Sequence, residues 1–174
     1  MSELPRRKRN RLPEYDYNTS GRYFITVCTE KKEKILSSIS VGATIGRPPI
    51  VHLSYLGRIV EEAIQEIPKK YSMIMVDHYV IMPNHVHLLL SIIGDDGRPM
   101  VAPTISRVIQ QMKGYVTKRA EKPIWQKGFY DHVVRTEHDY RSIYEYIDNN
   151  PAHRAEDVYY CGDTPHFCET NLQK

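Results

Sequence analysis

Two histidines separated by one residue stand in the stretch "MPNHVHLLL", residues 82 to 90. In an extended strand the side chains of residues i and i+2 point to the same face, so His85 and His87 project together while Val86 faces the other way. Two neutral imidazoles side by side can form one edge of a divalent-metal site. Two histidines packed in a sheet would give the same pattern, and the pattern alone leaves both interpretations open.

A second set of candidate residues lies in "YEYIDNNP", residues 144 to 151. Tyr146 and Asn150 are four residues apart, which places them on one face of a helix. An amide oxygen can complete a cation site, and a phenol beside that cation could attack phosphorus while the metal polarises a phosphate oxygen. In the alternative interpretation, Tyr146 packs in the core and Asn150 caps the helix before Pro151.

Periodic segments on both sides predict the elements that position these residues. Alternating apolar and β-branched residues predict strands at 22–30, 72–83, 85–93 and 129–135. Apolar residues at helical spacing predict helices at 53–70, 104–122 and 137–150. The order β-α-β-β-α-β-α begins with the split βαβ pattern of ferredoxin-like and RRM-like folds, an antiparallel sheet with two helices on one face. We therefore predict an α+β protein with an added C-terminal helix that carries Tyr146.

Local signals define the ends of these elements. Pro83 and Asn84 predict a tight turn between the second and third strands. Two stretches rich in glycine and proline, 40–49 and 94–103, are predicted to be surface loops whose role stays open. The residues predicted to begin or end helices are Ser54 and Thr104 as N-caps, and Pro68 and Pro151 as terminators.

The composition indicates one soluble domain. The chain has 174 residues, of which 41% are hydrophobic and 26% charged, the mixture of an ordinary globular protein. No apolar stretch approaches the ~20 residues that span a bilayer. Three scattered cysteines (Cys28, Cys161, Cys168) are too few for a disulfide framework, so we expect a cytoplasmic protein. Cys161 and Cys168 with His166 lack a nearby fourth ligand, which makes them a weak zinc signal.

Positive charge is concentrated near the N-terminus. The net charge is +3, and "PRRKRNR" (residues 5 to 11) holds five basic residues and no acid. Such a block is either a solubilising tail or an arm that neutralises phosphates. The second predicted helix carries further basic residues, which a solvated helix face explains equally well. The candidate phosphate-contacting residues are Arg6, Arg7, Lys8, Arg9, Arg11, Lys113, Lys118 and Arg119.

Several motifs, taken together and in order, resemble one known family. "MPNHVHLLL", "MKGYVTKR", "IWQKGFYDHVVR" and "YIDNNP" are similar to motifs of the single-tyrosine transposases of the HUH superfamily, especially the REP-associated tyrosine transposases. "RLPEYDYNTSGRYFITVCT" resembles the start of that subgroup's members. The resemblance runs from about residue 9 to residue 155. It implies a domain over 22–155, with a basic arm (1–21) before it and a tail of unknown role (156–174) after it.

The resemblance also implies an activity and a site. It implies that His85 and His87 are the histidines of the HUH motif, that Tyr146 is the nucleophile, and that Asn150 is the third metal-binding position. That position is glutamine in the classical insertion-sequence enzymes. The implied activity is a metal-dependent single-stranded DNA endonuclease and strand transferase that uses Mg²⁺ or Mn²⁺. It would act on hairpin-containing DNA through a covalent 5′-phosphotyrosine with a free 3′-OH.

Tyr115 and Tyr144 are the competing nucleophiles. Tyr115 falls on the apolar stripe predicted to face the sheet, where Gly114 would allow close approach, but Arg119 stands four residues later in place of an amide or carboxylate. We interpret Tyr115 as a core or DNA-contacting residue. Asp148 stands four residues after Tyr144, which makes Tyr144 a minor rival.

Two other functions stay open on the sequence. A non-catalytic nucleic-acid-binding protein could use the same scaffold, although the central strands lack the aromatic RNA-binding signature. A zinc hydrolase would need another strong ligand beside His85 and His87. We expect a monomer with Tyr146 acting in cis, because the short connection at 121–128 leaves little slack for an exchange of helices between chains.

Overall fold

The structure, a computed structural model, describes residues 20–40, 48–93 and 105–154. Four of its strands form one antiparallel sheet in the order β4-β5-β1-β6, and β2 pairs with β3 in a separate hairpin. The elements of the described ranges are β1 (Gly21–Cys28), β2 (Ser37–Ser40), β3 (Ile50–Leu53), α1 (Tyr55–Lys70), β4 (Ile74–Ile81), β5 (His85–Ile92), α2 (Ile105–Ala120), β6 (Tyr130–Val134) and α3 (Glu137–Asn149). The α+β class and the ferredoxin-like arrangement are confirmed.

Several predictions concern residues outside the described ranges. They are the basic arm with Arg6, Arg7, Lys8, Arg9 and Arg11, the Thr104 N-cap, the loop at 94–103, and the tail with Cys161, His166 and Cys168. Within the part of the chain that the structure describes, each helix is too short or too polar to cross a bilayer.

The two faces of the sheet pack against different helices. Val86, Leu88 and Leu90 of β5 belong to the large core that also contains the apolar stripes of α1 and α2. On the other face, Leu89 packs in a smaller core with Ile147 of α3. Because alternate side chains of a strand point to opposite faces, the histidines of β5 lie on the α3 side.

Helix α1 begins as predicted but ends later than predicted. The Ser54 side chain accepts a hydrogen bond from the Gly57 N–H, which confirms the N-cap. The prediction that Pro68 ends the helix is wrong, because α1 continues to Lys70. Proline removes its own N–H donor and crowds the carbonyl four residues earlier, but here it lies in the last turn, where Tyr71 N–H still donates to the Ile67 carbonyl.

The hairpin of β2 and β3 is a feature that the sequence did not predict. Its first strand is fastened to the end of β4, since Leu36 N–H donates to the Pro83 carbonyl and the Ser37 hydroxyl donates to the Ile81 carbonyl. Gly57 of α1 lies against this strand, and a Cβ there would be only 2.0 Å from the Leu36 carbonyl oxygen. The strands have four residues each and carry three serines, so they lack a clear strand pattern.

Helix α2 buries the predicted stripe with one exception. Ile105, Val108, Ile109, Met112 and Val116 are buried. Tyr115, predicted to face the sheet, is instead exposed, and its hydroxyl donates to Glu62 of α1. The expectation that Gly114 allows close approach is also wrong, because nothing lies within 4 Å of a Cβ at that position.

Candidate functional site

The histidine pair lies at the start of β5, on the face that α3 covers. Both His85 and His87 are 0% exposed. Strand β1 runs beside β5, with Thr26 opposite His87 and Cys28 opposite His85. The Pro83-Asn84 turn comes directly before the strand, so His85 is its first residue. The paired orientation expected from the His-x-His spacing is confirmed in the fold.

Hydrogen bonds on the far side of each ring orient the pair. His85 Nδ1 lies 2.7 Å from Asn84 Oδ1, and His87 Nδ1 lies 2.9 Å from the Thr26 hydroxyl. The remaining ring nitrogens then face each other, with 3.1 Å between His85 Nε2 and His87 Nε2. Such outer contacts fix the tautomer and direction of metal-binding histidines. Thr26 and Asn84 therefore hold the two imidazoles with their Nε2 atoms directed toward each other.

The geometry of the pair fits a divalent cation. With an acceptor oxygen at Nδ1 of His85, the ring carries its proton there, and Nε2 offers a lone pair. At the 3.1 Å that separates the two Nε2 atoms, either a proton held between them in a hydrogen bond or a cation bound by both is favourable. Two ligands bound at right angles to Mg²⁺ would be separated by about 3 Å, given metal–ligand distances of ~2.1 Å. The described residues contain no cluster of three His, Cys, Asp or Glu side chains that could hold a metal, so other oxygen donors would have to complete the site.

Tyr146 of α3 reaches the histidine pair. Its hydroxyl lies 3.4 Å from His87 Nε2, and the two rings meet at an angle of 63°. Phe24 of β1 stacks on His87 and presents its ring to Tyr146 edge-on, so one aromatic residue contacts both. Tyr146 is 38% exposed whereas the imidazoles are buried. Tyr146 is therefore the member of this group that has substantial solvent-exposed surface.

Asn150 is buried at the C-terminal end of α3, one turn after Tyr146. It is 2% exposed and occupies the C-cap position with helical backbone angles. The helix itself is anchored at both ends, because the Thr136 hydroxyl caps its N-terminus and Ile147 packs beneath it with Leu89. Asn150 thus lies on the buried side of the helix and Tyr146 at the edge of that side, as the i, i+4 spacing predicted.

The competing tyrosines lie elsewhere. Tyr144 stacks on His78 of β4, with 4.1 Å between ring centroids and an interplanar angle of 12°. Tyr115 lies on the opposite side of the sheet, where its hydrogen bond to Glu62 raises the pKa of its phenol. Of the three tyrosines considered from the sequence, only Tyr146 contacts the histidine pair.

The basic residues of α2 are on the other side of the sheet from the histidines. The Lys113 ammonium donates to the carbonyls of Gln126 (2.5 Å) and Gly128 (2.9 Å), and its burial lowers its pKa. Arg119 donates to the Tyr115 hydroxyl, while Lys118 is exposed. Lys113 therefore holds the connection between α2 and β6, and the DNA-binding role expected for these three residues stays a prediction.

Three residues of the site were not singled out from the sequence. Thr26 and Phe24 are two residues apart on β1, hence on one face of it, and differ little from other β-strand residues, so no local signal identifies them. Asn84 was assigned only to a turn, although its position directly before His85 is a signal that an amide could reach that ring. Contact across strands, rather than spacing along the chain, brings Thr26 and Phe24 to His87.

The fold and site define an α+β protein with a ferredoxin-like sheet that carries two histidines and a tyrosine on one face. No family model matches the chain. An uncharacterized protein of Haemophilus influenzae is 33% identical over an alignment 174 positions long, gaps included, that covers 88% of this chain and 93% of that protein. The chain belongs to one family with this relative.

The named similarities are to the REP-associated tyrosine transposases. A second Haemophilus influenzae protein, provisionally named a REP-associated tyrosine transposase, is 23% identical over an alignment 153 positions long, gaps included, that covers 79% of this chain and 73% of that protein. A solved structure of a REP-associated tyrosine transposase bound to a REP hairpin matches with a TM-score of 0.58 and 22% identity, over 88% of this chain and 74% of that one. The resemblance expected from the motifs is thereby confirmed, and the structural match establishes the shared fold.

Proposed function

We propose that this protein is a metal-dependent endonuclease and strand transferase that acts on single-stranded, hairpin-containing DNA. The observation that carries the proposal is the approach of the Tyr146 hydroxyl to within 3.4 Å of His87 Nε2, beside the converging Nε2 atom of His85. A phenol at the point where two imidazoles converge is the arrangement that nucleophilic attack next to a bound cation requires.

The reaction would exchange one phosphodiester for another. The Tyr146 phenol loses its proton, and its oxygen attacks the scissile phosphorus. A bond forms between that oxygen and phosphorus while the bond from phosphorus to the 3′ oxygen breaks, and the leaving oxygen takes up a proton to become a 3′-OH. The product is a 5′-phosphotyrosine on Tyr146. Because the number of phosphodiesters is unchanged, a free 3′-OH can attack the intermediate and restore a joined strand.

The chain's own residues would hold and orient the reacting groups. His85, His87 and Asn150 would bind Mg²⁺ or Mn²⁺, which supplies Lewis-acid polarisation of the phosphate when bound. Thr26 and Asn84 keep the two imidazoles directed at the same point. Phe24 contacts the rings of both His87 and Tyr146 and so packs the two side chains against each other.

Similarity supports hairpin DNA as the substrate. The structural neighbour is bound to a REP hairpin. The basic residues Arg6, Arg7, Lys8, Arg9 and Arg11 would add a salt-dependent attraction to phosphates. Tyr146 reaches His87 of its own chain, which supports cleavage in cis by a monomer.

The proposal is tested by trapping the covalent intermediate. Hairpin DNA with a 5′ or 3′ single-stranded flank is incubated with the protein and Mn²⁺, and the adduct is resolved on a denaturing gel and assigned by mass spectrometry. We expect an adduct on Tyr146 that is absent in Tyr146→Phe and in EDTA. Tyr144→Phe is the matched control, because it removes a hydroxyl from the same helix and should leave the adduct.

Other outcomes would redirect or overturn the proposal. An adduct that persists in Tyr146→Phe would place the nucleophile on another tyrosine. Hairpin binding that is equally tight in EDTA, with no adduct under any condition, would favour a non-catalytic nucleic-acid-binding protein. Strong cleavage by a mixture of His87→Ala and Tyr146→Phe chains would contradict action in cis.

A further inference from the structure

A second concavity opens on the same face of the sheet, at the far end of β5 from the histidines. It has a volume of about 530 Å³ and lies between the N-terminal part of α3 and the ends of β1, β4 and β5. Ser91 is four residues from His87 along β5, a distance of about 13 Å at ~3.3 Å per residue. The residues that line it are Ser20, Gly21, Arg22, Met75, Asp77, Ser91, Ile92, Ile93 and Tyr140. None of them belongs to the histidine–tyrosine site.

One wall of this pocket carries a guanidinium held in a fixed orientation. Arg22 of β1 lies over the ring of Tyr140, with its central carbon 4.2 Å from the ring centroid. Its Nη1 donates to Glu137 Oε2 at 2.8 Å, and this bond raises the pKa of Arg22 and lowers that of Glu137. The Arg22 side chain is nevertheless 43% exposed, so part of its donor edge stays available to a ligand.

The opposite wall carries a carboxylate placed by an irregularity of the sheet. The pairing of β4 with β5 shifts register between Val76 and His78, so Asp77 is the extra residue of a bulge. A bulge re-aims the side chain that it carries, and bulges are enriched beside functional sites. Ser91 donates to Asp77 Oδ2 at 2.5 Å, which fixes the carboxylate within the pocket.

The chemistry of the lining selects against a phosphate and in favour of a flat, partly apolar ligand. Arg22 and Asp77 are the oppositely charged lining residues, so an anion gains no net attraction and would meet the carboxylate. Met75 and Ile93 are 50% and 53% exposed, which leaves two apolar surfaces beside the polar groups. A nucleobase has the matching combination of apolar faces and a polar edge.

We propose that this pocket binds one unpaired nucleobase that carries an amino group, namely adenine, cytosine or guanine rather than thymine. The amino group would donate to Asp77, and a neighbouring ring nitrogen or carbonyl would accept from Arg22. Thymine has one ring N–H donor between two carbonyl oxygens, and those oxygens would be repelled by the carboxylate. This inference rests on the proposed function, since the base would belong to the single strand that extends from the Tyr146 site.

The test is a base scan of DNA binding by the full chain. Fluorescence anisotropy is measured in EDTA, so that binding is separated from cleavage, with hairpin DNA that has a single-stranded flank. Each unpaired position is changed in turn to thymine or to an abasic nucleotide. We expect one position at which either change weakens wild-type binding about tenfold, the size of discrimination that one good side-chain–base contact gives.

Asp77→Asn is the diagnostic variant. Its amide can still accept from Ser91, but it presents a donor as well as an acceptor, so the preference against thymine at that one position should fall to about twofold or less. Glu62→Gln is the control, because it neutralises a carboxylate on α1, across the sheet from the pocket, and should leave the preference unchanged. A general loss of folding could not remove discrimination at one position only.

The outcomes separate the pocket from the catalytic proposal. If the covalent adduct forms but every position tolerates thymine and abasic changes equally, the pocket assignment is overturned and the proposed function stands. If one position discriminates equally in the wild type and in Asp77→Asn, the base is read elsewhere and the assignment is again wrong. If the wild type neither binds hairpin DNA nor forms an adduct, the proposed function fails and the pocket assignment fails with it.

Discussion

The Thr26 hydroxyl offers the sharpest test of the metal site, because Thr26→Val changes its shape very little. Thr26 is 1% exposed and its hydroxyl lies 2.9 Å from His87 Nδ1. Valine would leave that ring nitrogen buried without this partner, which costs about 1–3 kcal/mol. The loss of this partner lowers the free energy of unfolding. It also weakens metal binding, because the His87 ring is no longer held in direction by the hydroxyl. We expect Mn²⁺ affinity to fall about 10- to 100-fold, the range seen when outer-shell partners are removed.

The assay needs neither DNA nor turnover. Mn²⁺ is titrated into the free protein, and the unbound ion is measured from its electron paramagnetic resonance signal. Thr26→Ser is the matched control, because it keeps the hydroxyl and loses only a methyl group. His87→Ala sets the limit expected when a ligand itself is removed. Thermal unfolding of each variant is recorded in parallel, so that loss of metal binding is compared among folded proteins.

Two results would refute this reasoning. If Thr26→Val binds Mn²⁺ within about twofold of the wild type, the hydroxyl does not orient a metal ligand. If Thr26→Ser loses as much affinity as Thr26→Val, packing of the methyl group is responsible and the hydrogen bond is not.

Two further predictions concern stability and ionisation. Gly57→Ala should destabilise the fold by at least the ~1–3 kcal/mol typical of overpacking, since its Cβ would meet the Leu36 carbonyl at 2.0 Å, whereas Gly114→Ala has open space and should stabilise α2 by about 0.5–1 kcal/mol. Chemical denaturation measures both, and equal effects would contradict the packing of α1 against the hairpin. Arg22→Gln should raise the pKa of Glu137 toward its ordinary value of 4.5, as followed by NMR titration. Because a lowered carboxyl pKa contributes stability above the unfolded value that is lost as pH falls through the folded one, the wild type should lose more stability than Arg22→Gln below about pH 4.5, and parallel curves would contradict this.

The sequence by itself determined the features that depend on local periodicity. A period of two fixes His85 and His87 on one face of a strand, and a helical period fixes Tyr146 and Asn150 on one side of α3. The four strands of the main sheet and the three helices follow from the same patterns, which is why the α+β class and the antiparallel sheet could be predicted. These properties need only the geometry of the backbone and the burial of apolar residues.

Tertiary packing decided which of these residues meet. The 3.4 Å approach of Tyr146 to His87 joins residues 59 positions apart, and the Thr26–His87 hydrogen bond joins residues 61 apart. Packing also decides that Tyr115 is exposed on α2, where it donates to Glu62. It likewise decides that the β2–β3 hairpin is attached to β4. Spacing along a chain determines the face of the helix or strand on which a side chain lies. The residue that this side chain contacts is determined by how one element packs on another. That packing is the sum of many weak contacts, and no single motif encodes it.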